Sequence, residues 1–77
     1  MPPLTVVVVD DASDYREIVR SLLARLSDVV TIVGEAADGE EALAVVLRER
    51  PDIVITDLMM PLLNGIELTK RIREELL

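Results

Sequence analysis

Two runs of β-branched residues each stop at aspartate, and this pairing constrains the fold more than any other feature of the chain. Val6-Val7-Val8-Val9 runs into Asp10-Asp11, and Ile53-Val54-Ile55-Thr56 runs into Asp57. Near-continuous apolar β-branched runs mark strands of a parallel sheet covered by helices on both faces. Parallel neighbours end at the same edge of the sheet, and open α/β sheets bind their ligands at that edge. Three carboxylates gathered there repel one another unless a cation or a transferred group sits among them.

The segments between these runs alternate in kind. Pro2-Pro3 hands over to a first strand at about residues 5–9. Ser13 reads as a helix N-cap. Tyr15, Ile18, Val19, Leu22, Leu23 and Leu26 then recur at helical spacing as one apolar stripe, with Arg16, Glu17, Arg20 and Arg25 mostly toward solvent. Ser27-Asp28 closes this helix. A second strand is expected over 29–35, with Gly34 near its end. Asp38 and Glu41 have capping-box spacing, so Asp38 opens a second helix. Its apolar side is Ala42, Leu43, Val46 and Leu47, and Pro51 stops it. The third strand covers 52–56. Asn64 and Glu67 repeat the capping spacing before a third helix over about 65–75, with Leu68, Ile72 and Leu76 on one side.

Strand and helix thus alternate three times, which predicts an α/β domain over residues 1–77 with a three-stranded parallel sheet and helices on both faces. Right-handed crossovers and the apolar runs favour the order 2-1-3. The first strand is then central and the third is an edge. The first helix lies alone on one face, with the second and third helices on the other. The first and third strands are expected to be shielded on both faces.

Composition narrows the function classes. With 77 residues the chain is one domain at most. A chain this size buries roughly 60% of its unfolded surface. Hydrophobic residues make up 51%, yet Tyr15 is the sole aromatic, so the core must be aliphatic. The net charge of −7 disfavours nucleic acid, whose phosphates need clustered Lys and Arg. Lys70-Arg71-Arg73 is followed by Glu74-Glu75 and reads as a solvated helix face. The absence of cysteine and histidine excludes thiolate sites, disulfides and histidine acid–base chemistry. No signal peptide is visible and no apolar run approaches the about 18 residues of a membrane span, so a cytoplasmic location without a membrane partner is expected.

Asp10, Asp11 and Asp57 form a hard-oxygen donor set suited to Mg²⁺. A metal there offsets repulsion between Asp57 and an incoming phosphoryl group, and Asp57 can then attack phosphorus as a carboxylate nucleophile. The plainer reading, that these aspartates only end strands and cap helices, suits any one of them better than it suits all three at one edge.

These residues carry a family resemblance. Val6-Val7-Val8-Val9-Asp10-Asp11, Ala37-Asp38-Gly39-Glu40-Glu41-Ala42-Leu43, Pro51 through Pro61, and Asn64-Gly65 together resemble the first part of a response-regulator receiver domain of two-component phosphorelays. The resemblance implies half of a flavodoxin-like receiver fold. It implies Asp57 as phosphoryl acceptor, Asp11 as a direct Mg²⁺ ligand, Asp10 acting largely through a metal-bound water, and the Met59 carbonyl as a further ligand. Met60 is expected to pack under the loop, while Pro61 and Gly65 shape the turn. The phosphate would come from a histidine kinase. Receiver domains have five strand-helix units, whose fourth and fifth strands present a hydroxyl and a lysine to the phosphoryl group. This sequence reads as three units, and its only lysine, Lys70, lies in the third helix. The expectation is therefore a truncated phosphoacceptor module, not an enzyme, with Mg²⁺ bound weakly or not at all and signalling impaired.

Two other readings compete. One is a self-associating half-domain with a vestigial site: a homodimer or larger symmetric oligomer built on the Ile53, Val54, Ile55 edge. The other is an aspartyl phosphohydrolase, but the D-x-D pattern of haloacid dehalogenases is absent after both acidic strand ends.

Overall fold

The computed structural model describes residues 2–57 and 64–76. The elements run β1 (Leu4–Val9), α1 (Ser13–Ala24), β2 (Val30–Ala36), α2 (Gly39–Glu49), β3 (Ile53–Thr56) and α3 (Gly65–Leu76). The sheet is parallel and ordered β2-β1-β3, as the sequence predicts.

β1 is the spine. Val6 to Val9 are each at most 1% exposed, so both faces of this strand are sealed. Val7 and Val9 join Ala36, Ala42, Val45, Val46 and Leu68 in the core shared with α2 and α3. Val45 lies outside the apolar side expected of α2, yet with Ala42 and Val46 it completes an i, i+3, i+4 spacing and is buried. At the foot of the sheet, Asp52 fixes the β1–β3 register. Its Oδ2 accepts from the Thr5 N–H at 2.8 Å, and its own N–H reaches the Thr5 carbonyl at 3.0 Å. Between β1 and β2 the register slips, so that Val6 faces Ile32 while Val7 faces Gly34. Gly34 lets α2 come close: a Cβ there would lie 2.6 Å from a methyl of Val45.

Two of the three helices start as their sequences dictate. Asp38 accepts from the Glu41 N–H at 2.8 Å, and Asn64 accepts from the Glu67 N–H at 2.9 Å, each satisfying an orphan donor of the first turn. Glu41 reaches back to the Ala37 N–H at 3.5 Å rather than to Asp38 itself. The first helix departs from expectation. Its N-cap is Ala12, without a side-chain cap bond, and Ser13 is already helical. Asp10 instead orders the chain ahead of the helix: its Oδ1 accepts the Ala12 N–H at 3.0 Å, closing an Asx-type turn, while within the first turn the Asp14 carboxylate accepts the Tyr15 N–H at 3.0 Å. α1 also ends at Ala24, earlier than Ser27, and Leu26 falls in the following turn.

The apolar stripe of α1 is a second correction. No residue of α1 is buried. Tyr15, Ile18 and Leu22 are 61%, 54% and 57% exposed, and only Val19 and Leu23 tuck partly against the sheet. Arg16, expected toward solvent, turns inward instead, its side chain 20% exposed. β3 departs likewise. Val54 packs on the core, but Ile53 and Ile55, on the opposite face, are exposed. Among the described residues one helix covers this face where two cover the other, and it sits over β1 and β2. The stripe therefore continues past the surface that the described residues can cover.

Candidate functional site

The register of the sheet creates the site. Val9 pairs with Ala36 on one side and with Thr56 on the other, so the three strands end level. The Asp10 N–H donates to the Ala36 carbonyl at 3.1 Å, and the Asp57 N–H donates to the Val9 carbonyl at 3.2 Å. Each aspartate thus leaves its strand with its backbone still tied to the neighbour. A one-residue slip would turn every side chain to the opposite face.

Asp10, Asp11 and Asp57 each bring one carboxylate oxygen into a cluster in which these atoms lie within 4.8 Å of one another. Asp10 and Asp57 are half-buried and Asp11 is exposed. Two unit charges 4 Å apart repel by about 1 kcal/mol in water and by about 4 kcal/mol at the dielectric typical of a protein surface. The cluster thus favours a counter-cation. Its donors are oxygens alone, the chemistry that suits Mg²⁺ over softer metals. The sequence-derived trio is therefore brought together.

The cluster stands at the mouth of an open groove of about 420 Å³. Val8, Val19 and Ile55 line its apolar part, and Tyr15 lies on its α1 side. Gly65 is buried at the start of α3, and its carbonyl accepts from the Thr69 hydroxyl at 2.8 Å. Met59, Met60 and Pro61 lie outside the described residues. Ile53, Val54 and Ile55 lie on β3, which among the described residues is next to β1 alone in the strand order.

One contact escapes sequence reading. The Arg16 guanidinium donates to the Asp10 carbonyl at 2.6 Å and also meets Glu35 at the end of β2. A signal for it was present: Arg16 shares a helical face with Val19 and Leu23, three and seven residues on, the two α1 side chains that do pack inward.

The sequence matches the response regulator receiver domain family over residues 6–76. The protein-glutamate methylesterase/protein-glutamine glutaminase of Haloarcula marismortui is 42% identical over 69 residues, which is 90% of this chain and 18% of that protein. The nitrate/nitrite response regulator protein NarL of Escherichia coli K12 is 36% identical over 73 residues, 95% of this chain and 33% of that protein. Among solved structures, the NarL signal receiver domain of Mycobacterium tuberculosis superposes with a TM-score of 0.93 at 36% identity, covering 100% of this chain and 61% of that one. The response regulator domain of Thermotoga maritima CheB gives 0.88 at 36% identity, covering 94% and 53%. The chain thus spans a third or less of the curated relatives named and somewhat over half of these solved domains.

Proposed function

The chain belongs to the response regulator receiver domain family, and from that premise we propose that it is a phosphoacceptor module with Asp57 as the acceptor. The observation that carries this reading is the gathering of three carboxylates at the level strand ends. An Asp57 oxygen would attack the phosphorus of a phosphorylated imidazole on a histidine kinase. The O–P bond forms as the P–N bond breaks, and the bonding pair leaves on the imidazole nitrogen. Asp10, Asp11 and the Met59 carbonyl are the groups that would hold Mg²⁺ beside Asp57. When bound, the ion offsets repulsion between the carboxylates and the incoming phosphoryl oxygens. The relatives include both methylesterases and transcriptional regulators. The role proposed for these 77 residues is to receive phosphate, not to catalyse a further reaction. No described helix is long and apolar enough to cross a membrane; we place the module in the cytoplasm, where a kinase can reach it.

The 77 residues alone are expected to react slowly. Lys70, the only lysine, is an exposed residue of α3 and does not line the groove. Loss of one preorganised charge-stabilising donor typically costs about 10²–10³ in rate. Incubation with Mg²⁺ and acetyl phosphate, followed by intact-mass spectrometry, tests both points. We expect no stoichiometric adduct within minutes, and any slow adduct should map to Asp57 and vanish in Asp57→Asn. An adduct that survives that substitution would falsify the acceptor assignment. Rapid full labelling that depends on Asp57 would instead refute the slow-reaction claim.

A second reading concerns assembly and rests on a separate observation. Ile53 and Ile55 are 38% and 36% exposed on the edge strand, and Ile55 lines one groove with Tyr15 and Val19 of α1. We propose that a second copy of the chain covers this surface, as a homodimer with the β3 edges paired.

A further inference from the structure

Arg16 ties α1 to the acidic end of β1. Its Nη1 donates to the Asp10 carbonyl at 2.6 Å, and its Nε lies 3.5 Å from Glu35 Oε1. Glu35 also accepts from Arg20, one helical turn further along, at 2.6 Å. Asp10 is consequently held at three points. Its N–H is bound by the Ala36 carbonyl, its own carbonyl by Arg16, and its Oδ1 by the Ala12 N–H. Resting on the reading of Asp10, Asp11 and Asp57 as a divalent-cation site, we infer that Arg16 is a positioning residue for that site. Braced by Glu35, its guanidinium fixes the Asp10 backbone and so the direction in which the Asp10 and Asp11 carboxylates present their oxygens.

Two effects of Arg16 oppose each other, and their balance decides the sign of the outcome. A guanidinium near three carboxylates weakens the negative potential that draws in Mg²⁺, so by charge alone its removal tightens binding. By positioning alone its removal loosens binding, because metal ligands depend on the groups that orient them. The geometry favours positioning. Glu35, shared with Arg20, offsets part of the Arg16 charge, and Asp11 lies at an exposed mouth where solvent and salt screen the remainder. The bond to the Asp10 carbonyl is short and charge-assisted, and it acts on the backbone that carries the donors. Arg20 supplies a charge-matched comparison. It pairs with the same Glu35 from the same helix, but its hydrogen bond is to Glu35 rather than to Asp10.

The test is an NMR titration of the 77-residue chain with Mg²⁺, comparing wild type with Arg16→Gln, Arg16→Lys, Arg20→Gln and Asp11→Asn. Arg16→Gln should weaken binding about tenfold, the scale of losses at outer-shell partners of metal ligands. Arg16→Lys should restore affinity only in part, since an ammonium lacks the planar fork that bridges carbonyl and carboxylate together. Arg20→Gln should stay within about twofold, as expected for a largely exposed ion pair. If Arg16→Gln binds as tightly as wild type, or more tightly, while Asp11→Asn loses the ion, the inference is overturned and the cation site stands. If wild type binds no Mg²⁺, or Asp11→Asn binds like wild type, the cation-site reading falls. Amide exchange at Ala12 in metal-free protein then decides the positioning role separately. Its N–H is held by Asp10, so exchange should quicken in Arg16→Gln and in Arg16→Lys but not in Arg20→Gln. Unchanged exchange in both Arg16 variants overturns the inference whatever the metal does.

Discussion

Arg50 shows how one residue can carry strain that its neighbours impose. It caps α2 with φ 46° and ψ 59°, the left-handed region, and its N–H still reaches the Val46 carbonyl at 2.8 Å. Pro51 prevents the helix from continuing, and the chain must turn at once to enter β3. A left-handed residue with a Cβ is strained by about 1–2 kcal/mol. Glycine removes that strain but adds roughly 0.5–1 kcal/mol of unfolded-state entropy. Arg50→Gly should therefore stabilise the protein by about 0.5–1 kcal/mol, which for a domain of this size is a rise of about 2–8 °C in Tm. Thermal unfolding checks it, with Arg50→Ala as the control that keeps the strain and should gain nothing comparable. A lower Tm for Arg50→Gly would mean that the Arg50 side chain contributes more than the backbone loses. Residue identities were legible in the sequence where type and place coincide, as for aspartates at the ends of β-branched runs. The inward turn of Arg16 was signalled by the helical face it shares with Val19 and Leu23, but its partner was not, because that spacing does not say which carbonyl or carboxylate the guanidinium will meet.

At the scale of elements, Gly34 governs how closely α2 lies on the sheet. An alanine there would place its Cβ 2.6 Å from Val45 Cγ1, and Val45 is itself 7% exposed, with little room to yield. Overpacking of this kind costs about 1–3 kcal/mol. Gly34→Ala should be destabilised to that extent in urea unfolding. Removing the obstructing methyl should relieve it, so Gly34→Ala with Val45→Ala should lose less than the sum of the two single changes, by about 0.5–3 kcal/mol. Strict additivity would show that α2 shifts as a body to admit the new methyl. Element order, sheet order and two of the three caps were legible because each rests on local chemistry: run length, Asp or Asn followed by Glu, and proline as a stop. The burial of α1 was not. Helical periodicity identifies which side of a helix is apolar, but not how much sheet lies beneath it. Tyr15, Ile18 and Leu22 belong to a correct stripe that extends past its cover. The same holds for β3, whose β-branched run promises two covered faces and receives one.

The whole molecule is a slab of 32 × 30 × 16 Å, and Ile18 and Leu22 of α1 and Ile53 and Ile55 of β3 stand exposed on it. That apolar surface is in keeping with the proposed partner copy. Sedimentation at micromolar concentration should give a dimer, and a folded monomer would refute the proposed assembly. Val54 is a poor place to probe the edge, because it packs on the core and lysine there would disturb the fold itself. Ile53→Lys is cleaner: the residue is exposed, and lysine is a common guard of edge strands. It should shift the protein to monomer with its helical content intact, whereas a dimer that persists is not held by this edge. Tyr15, on the α1 side of the acidic groove, carries a last consequence. The chain contains neither tryptophan nor phenylalanine, so every near-ultraviolet photon that its side chains absorb is absorbed by this one phenol. Its spectrum is a built-in optical gauge at the acidic mouth: circular dichroism or emission near the tyrosine band would follow events there without any added label.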